Sequence, residues 1–306
     1  MTCLLITGVS GLLGINLALE AVREGHEVVG WTHSRSLKGV PFGQETVSLE
    51  NLEDLPAALQ KARPNAVIHC AAVANLDEAE QNPQHTFLVN AQAPGVLARA
   101  SKEAGIPFVL ISTDAVFDGS KGNYSEEDQP NPQNTYAQSK LAGEQAVRNE
   151  YPEALVARVV FYGWSLSGKR SLAEFFFNNL SQGKQVKGFT DSIFSPLYAR
   201  DLSDLLLEAL SKDLRGTYHF FSRESLSKYD FGVALANRFG LDQNLITAVE
   251  TARGDLNTPR SLNLSASSAK LCTALGHETP DVIEGLERMF EDCQNGLRQR
   301  LAAFLA

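Results

Sequence analysis

The chain reads Leu4-Leu-Ile-Thr-Gly8-Val-Ser-Gly11-Leu-Leu-Gly14 near its start. An apolar run typical of a buried strand passes directly into closely spaced glycines and then into helix-forming residues. A residue without a Cβ lets the backbone approach a phosphate closely, and the first turn of a helix presents free N–H groups to an anion. The stretch therefore predicts a dinucleotide site, with contacts from Gly8, Ser10, Gly11, Leu12, Leu13 and Gly14.

Composition and charge are those of a globular protein of one or two domains. The chain has 306 residues, 43% hydrophobic content and a net charge of −9, which argues against a general nucleic-acid surface. No C-x-x-C pair occurs among the four cysteines, and no metal-binding spacing occurs among the six histidines. No run reaches the roughly 18 apolar residues of a membrane helix. We therefore expect a cytoplasmic protein with reduced cysteines and no metal, whose anionic ligands need a local basic pocket.

Strand-like and helix-like segments alternate through the first half of the chain. The predicted strands are Cys3–Thr7, Glu27–Trp31, Thr46–Leu49, Ala66–Cys70, Phe108–Ser112 and Leu155–Phe161. The predicted helices between them are Leu12–Glu24, Leu52–Ala62, Pro83–Ala104 and Thr135–Asn149. Strands joined by crossover helices form right-handed β-α-β units, so the fold class is α/β, a Rossmann-type doubly wound parallel sheet.

The pattern changes after Tyr162 and becomes mainly helical. We predict a dinucleotide-binding domain over residues 1–161, joined by a returning segment near 195–212, and a smaller substrate-binding lobe over 162–306. The helices predicted in this part are Asp201–Leu210, Lys228–Phe239, Ser265–Leu275 and Asp281–Glu291.

Tyr136 and Lys140 are spaced four residues apart on a predicted helix, which places the phenol and the ammonium on one face. A neighbouring cation favours the phenolate, so we expect Lys140 to lower the pKa of Tyr136. Such a phenol can give a proton to a carbonyl oxygen as hydride arrives at carbon. The alternative is an exposed Tyr–Lys pair with no catalytic role.

The fifth predicted strand ends in Ile111-Ser-Thr-Asp114, at the edge of a doubly wound sheet where ligands bind. Ser112 and Thr113 carry hydroxyls that can hydrogen-bond a substrate carbonyl. Turn chemistry, with Ser112 or Asp114 capping local backbone, is the alternative, although it accounts for one of these residues more easily than for the whole run.

Taken together, these motifs resemble the extended short-chain dehydrogenase/reductases. The string Ser112-Thr-Asp-Ala-Val-Phe-Asp-Gly119 is similar to the dTDP-4-dehydrorhamnose reductase family within that superfamily. The other matching segments are Cys70-Ala-Ala72, Asp77-Glu-Ala-Glu80, Val89-Asn-Ala91, Ser195-Pro196 and Asp201-Leu202. The resemblance covers nearly the whole chain and is strongest up to about residue 211.

The resemblance implies a reduction, by NAD(P)H, of the C4 ketone of a nucleotide-linked deoxysugar. Thr113 would hold the carbonyl, Tyr136 would protonate it, and Lys140 would tune Tyr136 and bind the nicotinamide ribose. Ala71 and Ala72 would line the cofactor, and Asn90 would fix the turn after strand four. A homodimer is also implied.

The end of strand two bears on the choice of cofactor. NAD sites usually carry an acid there, which binds the ribose 2′-hydroxyl, and none occurs from Val28 to Lys38. Ser34 and Arg35 can instead bind a 2′-phosphate, with Lys38 near, so we expect NADP(H) to be preferred and NAD(H) to be possible. Arg35 as a solvated loop charge is the alternative. Relatives often place an acid on the adenine after strand three; here Ser48-Leu-Glu50 occupies that region.

Candidate substrate contacts are Asp114, Trp164, Lys169, Arg170 and Arg260. Arg260 or Arg253 would take the place of an arginine that the family has late in the chain. The family often has an Arg-Pro pair late in the chain, and this chain has Thr258-Pro-Arg260 instead. Trp164 either stacks on a base or sugar or is a buried aromatic. Lys169 and Arg170 either reach a diphosphate or lie on a solvated loop.

Two other functions share these motifs. A nucleotide-sugar epimerase or dehydratase uses the same triad, although dehydratases need further acid–base residues and no Glu directly follows Asp114. The family fold also serves as a non-catalytic regulator, as in the β-subunit of methionine adenosyltransferase. A pure scaffold needs no proton donor, so the Thr113, Tyr136 and Lys140 set favours a reductase.

Overall fold

The computed structural model describes residues 2–34, 36–251 and 261–305. Its strands are β1 Cys3–Thr7, β2 Glu27–Thr32, β3 Gly43–Thr46, β4 Ala66–His69, β5 Phe108–Thr113, β6 Leu155–Val159, β7 Phe161–Tyr162, β8 Val186–Phe189, β9 Ile193–Phe194, β10 Leu197–Tyr198, β11 Gly216–Phe220, β12 Leu226–Ser227 and β13 Ile246–Val249. Its α-helices are α1 Leu12–Arg23, α2 Leu55–Ala62, α3 Leu76–Gln81, α4 Pro83–Phe87, α5 Ala93–Glu103, α6 Thr135–Glu150, α7 Leu172–Leu180, α8 Ala199–Ser211, α9 Lys228–Phe239, α10 Ala269–Leu275, α11 Val282–Gln294 and α12 Leu297–Ala303. Short 3-10 turns cover Leu52–Asp54, Asp114–Val116 and Gln243–Leu245, and a π-helical turn covers Leu88–Gln92.

Seven strands form one parallel sheet in the order β11-β6-β5-β4-β1-β2-β3. The chain leaves β1 toward β2 on one side and later returns to β4 on the other, so the strand order reverses at β1. Crevices at such a reversal are where doubly wound sheets bind ligands. The Rossmann-type parallel sheet predicted from the sequence is confirmed, with β11 as an additional strand.

Both faces of the sheet are apolar and covered by helices. Leu4 and Ile6 of β1 belong to a core cluster that includes α1 and α8, whereas Leu5 belongs to a second cluster with α2 and α5. Side chains alternate between faces along a strand, so an unbroken apolar run supplies both layers. This is why β1, β4 and β5 are evident in the sequence.

Two element predictions are wrong in detail. The third strand is Gly43–Thr46 rather than Thr46–Leu49, because β3 pairs with β2 from Val29↔Gly43 onward. The side chain of Gln44 fixes this edge by accepting from the Leu37 N–H at 2.7 Å and donating to the Leu37 carbonyl at 2.5 Å. A polar edge strand gives no apolar run, so its register depends on these contacts.

The predicted helix Pro83–Ala104 is also interrupted, by the π-helical turn. Such a turn inserts one extra residue and redirects side chains locally. Here it faces α6, where a Cβ on Gly143 would lie 2.2 Å from the Asn90 carbonyl oxygen. The two helices therefore approach each other more closely than a side chain would allow.

The segments after β7 do not all leave the first domain. Helix α8 packs along α1, and β11 pairs with β6 in register from Gly216↔Leu155. Helices α7, α9 and α11 pack together with the β8–β13 pair, around the buried rings of Tyr162 and Phe231. The division of the chain at residue 161 remains a prediction, and the returning part extends through β11.

Within the described ranges, no helix has both the length and the apolarity needed to cross a membrane.

We expect Gly143→Ala to destabilise the protein. Alanine favours a helix by about 1 kcal/mol over glycine, but overpacking costs about 1–3 kcal/mol, and the 2.2 Å approach to backbone leaves no flexible neighbour to move. The melting temperature should therefore fall. Gly43→Ala is the control, because its nearest atom is the Val28 carbonyl oxygen at 3.7 Å. An unchanged or higher melting temperature for Gly143→Ala would contradict the close packing.

Candidate active site

The glycine turn packs directly against the end of β4. Gly8 has a φ of +66°, and a Cβ there would lie 2.7 Å from the Ala71 Cα. A Cβ on Gly14 would lie 2.3 Å from the Gly8 carbonyl oxygen. The Gly11 N–H donates to that same carbonyl at 2.8 Å, and α1 begins at the next residue. Side chains are thus excluded from a cradle where free helix N–H groups can meet a phosphate.

A cavity of about 860 Å³ opens in front of this turn. One wall combines the turn with the segment that follows β4, and the far end is formed by residues after β2 and β3. The lining residues that carry the argument are Gly8, Ser10, Gly11, Ala71 and Ala72 at the turn and Trp31, His33, Leu49, Glu50 and His85 at the far end, together with Arg170. Its size and the glycine wall fit a dinucleotide.

The remaining cofactor candidates lie in different places. Leu13 and Gly14 are buried under the turn, and neither they nor Leu12 line the cavity. Ser34 is exposed and is not a lining residue. Arg35, predicted to bind a 2′-phosphate, lies outside the described residues.

The side chain of Asn90 makes its hydrogen bonds to other protein groups and does not line the cavity. Its Oδ1 accepts from the Val73 N–H at 2.8 Å, and its Nδ2 donates to the Val73 carbonyl at 3.0 Å and to Ser139 Oγ at 2.9 Å. The π-helical turn that carries Asn90 thereby fastens the segment after β4 to α6. Asn90 holds the shape of this wall, and both of its Nδ2 hydrogens are donated to protein groups.

The start of α6 is fixed by two acceptors. Asn134 caps the helix by accepting from the Ala137 N–H at 2.9 Å. Glu80 accepts from the Thr135 N–H at 2.8 Å and from its hydroxyl at 2.7 Å. The acidic segment Asp77–Glu80 therefore positions the first turn of α6, which carries Tyr136.

Thr113, Tyr136 and Lys140 meet where β5 ends against α6. Burial raises the pKa of Tyr136 to about 12, a hydrogen bond with Thr113 lowers it, and the negative charge of Asp114 raises it. The ammonium of Lys140 donates to the Ile111 carbonyl at 2.7 Å. The prediction that Lys140 lowers the pKa of Tyr136 is wrong for this structure, because burial is the largest influence on this pKa and the charge that acts on the phenol is the negative one of Asp114. The phenol stays protonated and available as a donor.

Lys140 is itself perturbed. Burial lowers its pKa to about 8, while the charges of Glu144 and Cys70 favour the ammonium and act in the opposite direction. Cys70 lines the cavity, so Lys140 lies between the catalytic tyrosine candidate and the cofactor candidate site. That position suits a cation that binds ribose hydroxyls.

Asp114 is buried beside Thr113, whose hydroxyl donates to its Oδ1 at 3.0 Å. Burial raises the pKa of Asp114 to about 6, against the effects of the Thr113 hydrogen bond and the positive charge of Lys228. A carboxyl with this pKa exchanges a proton near neutral pH. Lys228, in the first turn of α9, is a cation that sequence reasoning missed, because nothing in its local pattern marks it.

Ser112 faces away from Thr113 and into a buried ion pair. Its hydroxyl donates to Glu144 Oε1 at 2.6 Å, and Arg158 holds both carboxylate oxygens at 2.9 and 2.8 Å. Ser112 is therefore not available to a substrate carbonyl. Sequence reasoning missed this pair, and two signals could have found it: Glu144 follows Lys140 by one helical turn, and Arg158 interrupts an apolar strand.

The candidate substrate-binding residues after β7 do not form a common site in front of Tyr136. Trp164 is fully buried, its Nε1–H donates to the Met289 carbonyl at 3.1 Å, and its ring packs against Phe177. The prediction of substrate stacking is wrong for Trp164. Lys169 is exposed, and Arg170 lines the cavity of the glycine turn. Arg253 and Arg260 lie outside the described residues.

Comparison with known proteins places the chain among sugar-modifying reductases. The family model described as RmlD substrate binding domain matches residues 1–295. The probable low-salt glycan biosynthesis reductase Agl14 of Haloferax volcanii is 34% identical over 94% of this chain and 98% of that protein. The dTDP-4-dehydrorhamnose reductase of Mycobacterium tuberculosis is 33% identical over 89% of this chain and 86% of that protein.

A solved structure and a regulatory subunit are also similar. The dTDP-4-dehydrorhamnose reductase of Bacillus anthracis, solved in complex with NADP, aligns with a TM-score of 0.84 and 27% identity over 95% of this chain and 99% of that one. The methionine adenosyltransferase 2 subunit beta of Xenopus tropicalis is 30% identical over 90% of this chain and 84% of that protein.

We expect Asp114→Asn to stabilise the protein above pH 6 and to have little effect near pH 3. The folded-state pKa of about 6 exceeds the ordinary value of 3.8, so the wild type loses stability as pH rises through this interval, and Asn does not titrate. The gain in free energy of unfolding should reach at most about 3 kcal/mol. Denaturant unfolding of both proteins at pH 3 and pH 8 measures it.

Asp118→Asn serves as the comparison with the opposite sign. Asp118 accepts from Ser120, Tyr124 and Asn131, and these bonds hold its pKa below the ordinary range. Relative to the wild type, its neutral replacement should therefore be less stable at pH 8 than at pH 3, because the wild type gains stability as Asp118 ionises. If Asp114→Asn behaves like Asp118→Asn, the raised pKa of Asp114 is wrong.

Proposed function

The chain belongs to the RmlD substrate binding domain family, and from this premise we propose that it is an NADPH-dependent reductase of the C4 ketone of a nucleotide-linked deoxysugar. It is an NAD(P)-dependent oxidoreductase of the extended short-chain dehydrogenase/reductase superfamily. The observation that carries the proposal is the meeting of Thr113, Tyr136 and Lys140 beside a cavity walled by the glycine turn.

The residues of the cavity fit a nicotinamide dinucleotide, because the turn leaves no room for a Cβ where the phosphates pass. When bound, the reduced nicotinamide supplies a hydride to the carbonyl carbon. The Thr113 hydroxyl turns from Asp114 Oδ1 to donate its hydrogen bond to the carbonyl oxygen. Tyr136 transfers its phenolic proton to that oxygen as the alcohol forms. Lys140 holds the ribose hydroxyls with its ammonium.

Asp114 and Lys228 extend the site toward the second lobe. A carboxyl with a pKa of about 6 can hydrogen-bond a sugar hydroxyl in either protonation state. Lys228 supplies a positive charge in an acidic protein, so we assign it, with Asp114, to the nucleotide-sugar. Lys169, Arg253 and Arg260 remain candidates for the diphosphate from the sequence alone.

A non-catalytic regulator is the second candidate, because the β-subunit of methionine adenosyltransferase 2 is 30% identical to this chain. An epimerase or dehydratase is less well supported, since Ala115 stands where a second acid would follow Asp114. NADPH oxidation with a panel of keto-sugars separates these functions. Binding of NADPH with no turnover of any nucleotide-linked ketone would favour the regulator.

We also propose a cytoplasmic location and a homodimer. All four cysteines are free, which suits a reducing compartment. Sedimentation of the purified protein measures the oligomeric state.

Tyr136→Phe should lower kcat on the order of a hundredfold or more, because one positioned acid is lost. Its affinity for NADPH should stay within a factor of about two, as the phenol hydroxyl contributes to proton transfer rather than to the phosphates. Tyr151→Phe, at the end of the same helix, is the control. Wild-type turnover by Tyr136→Phe would exclude the assigned role.

Arg35→Ala should weaken NADPH binding by about 1.5–3 kcal/mol, the scale of a charge-assisted hydrogen bond, and leave NADH binding nearly unchanged. The reason is that no acid follows β2 and that His33, two residues earlier, lines the cavity. Titration of both cofactors measures the difference, with Lys102→Ala, an exposed lysine near the end of α5, as the control. Equal losses for NADH and NADPH would show that Arg35 does not bind the 2′-phosphate.

A further inference from the structure

The loop between β7 and α7 is fastened to the first turns of α1. Asn16 donates from Nδ2 to the Leu12 carbonyl at 2.7 Å and to the Trp164 carbonyl at 3.0 Å. Ser171, at the other end of the loop, donates from its hydroxyl to the Gly163 carbonyl at 2.7 Å. The loop is therefore closed on itself and placed beside the helix that begins at the glycine turn.

A buried carboxylate fixes the inside of this loop. Glu174 is fully buried and accepts from the N–H groups of Ser165 at 2.7 Å, Arg170 at 2.7 Å and Ser171 at 3.1 Å. Asn178 donates to the Gly168 carbonyl at 2.7 Å. Such a carboxylate with several N–H donors makes a rigid loop, so the backbone of Arg170 is held in one position.

The side chain of Arg170 reaches the cavity from this fixed backbone. Arg170 lines the same cavity as Gly8, Ser10 and Gly11, and its guanidinium makes no ion pair with any residue in the described ranges. Its neighbour Lys169 is exposed and does not line the cavity. The two consecutive cations therefore face different surroundings.

Arg170 brings a positive charge to a cavity whose other charged lining residues include acids. The protein carries a net charge of −9, and Glu50 and Glu78 also line the cavity. Among the described lining residues, Arg170 is the one lysine or arginine. The helix N–H groups at the turn provide only partial positive charge, whereas a dinucleotide brings two negative charges to the turn.

We propose that Arg170 binds the pyrophosphate of the nicotinamide dinucleotide, so that the cofactor is held by both lobes. This rests on the proposed function as far as the identity of the ligand is concerned. The pyrophosphate is favoured over the substrate diphosphate because Arg170 shares the cavity with the glycine turn. It is favoured over the 2′-phosphate because the loop is fastened to α1, whereas the 2′-phosphate candidates follow β2.

The test is the affinity of Arg170→Ala for cofactors, measured by titration of the purified protein in the absence of any sugar. Arg170→Ala should bind NADPH and NADH more weakly by the same factor, about ten- to hundredfold, the scale of one charge-assisted contact. Adenosine 2′-monophosphate, which lacks a pyrophosphate, should bind both proteins equally. Lys169→Ala should bind NADPH, NADH and adenosine 2′-monophosphate as the wild type does.

Each other outcome overturns the proposal. A loss for NADPH and adenosine 2′-monophosphate but not for NADH would assign Arg170 to the 2′-phosphate. Unchanged cofactor affinity with a raised KM for a nucleotide-sugar would assign it to the substrate. Because the titrations need no turnover, they remain readable if the protein reduces no keto-sugar, and the failure of one proposal is distinct from the failure of the other.

Discussion

The close approach of the glycine turn to the end of β4 is the constraint on which the site depends. Gly8 lies where any side chain would strike Ala71, and Gly14 lies where one would strike the Gly8 carbonyl. This close approach has two consequences: α1 packs against the sheet, and free N–H groups of the helix remain at the cavity wall. Substitution of these glycines would therefore damage the fold and the candidate cofactor site together.

A buried ion pair connects the strands and the helix that carry the chemistry. Glu144 of α6 is held by Arg158 of β6 and by Ser112 of β5, and all three are almost inaccessible to water. Breaking such a pair typically costs 3–5 kcal/mol, because one charge is left without a partner. The pair thus keeps Tyr136 and Lys140 in place against Thr113, without contact with a ligand.

Burial also decides the protonation of the site. The pKa of Tyr136 rises to about 12 and that of Lys140 falls to about 8, so a neutral phenol stands beside an ammonium that titrates within reach of physiological pH. A reductase needs a phenol that can give a proton. The structure therefore suits the reductive direction more directly than the phenolate expected from helical spacing.

The sequence by itself determined the parallel sheet, the glycine turn and the Tyr136–Lys140 pair. Each depends on residues that are consecutive or spaced by one helical turn, so local backbone geometry alone brings them together. It did not determine where Arg170 and Trp164 point, that Lys228 approaches Asp114, or where the polar strand β3 begins. These depend on interactions that no local pattern shows: the hydrogen bonds of Asn16 with Trp164 and of Gln44 with Leu37, and the charge of Lys228 acting on Asp114. The pKa values of Tyr136, Lys140 and Asp114 could not be predicted from the sequence either. Burial is the largest influence on each of them, and burial depends on all the groups that the tertiary structure packs around the side chain.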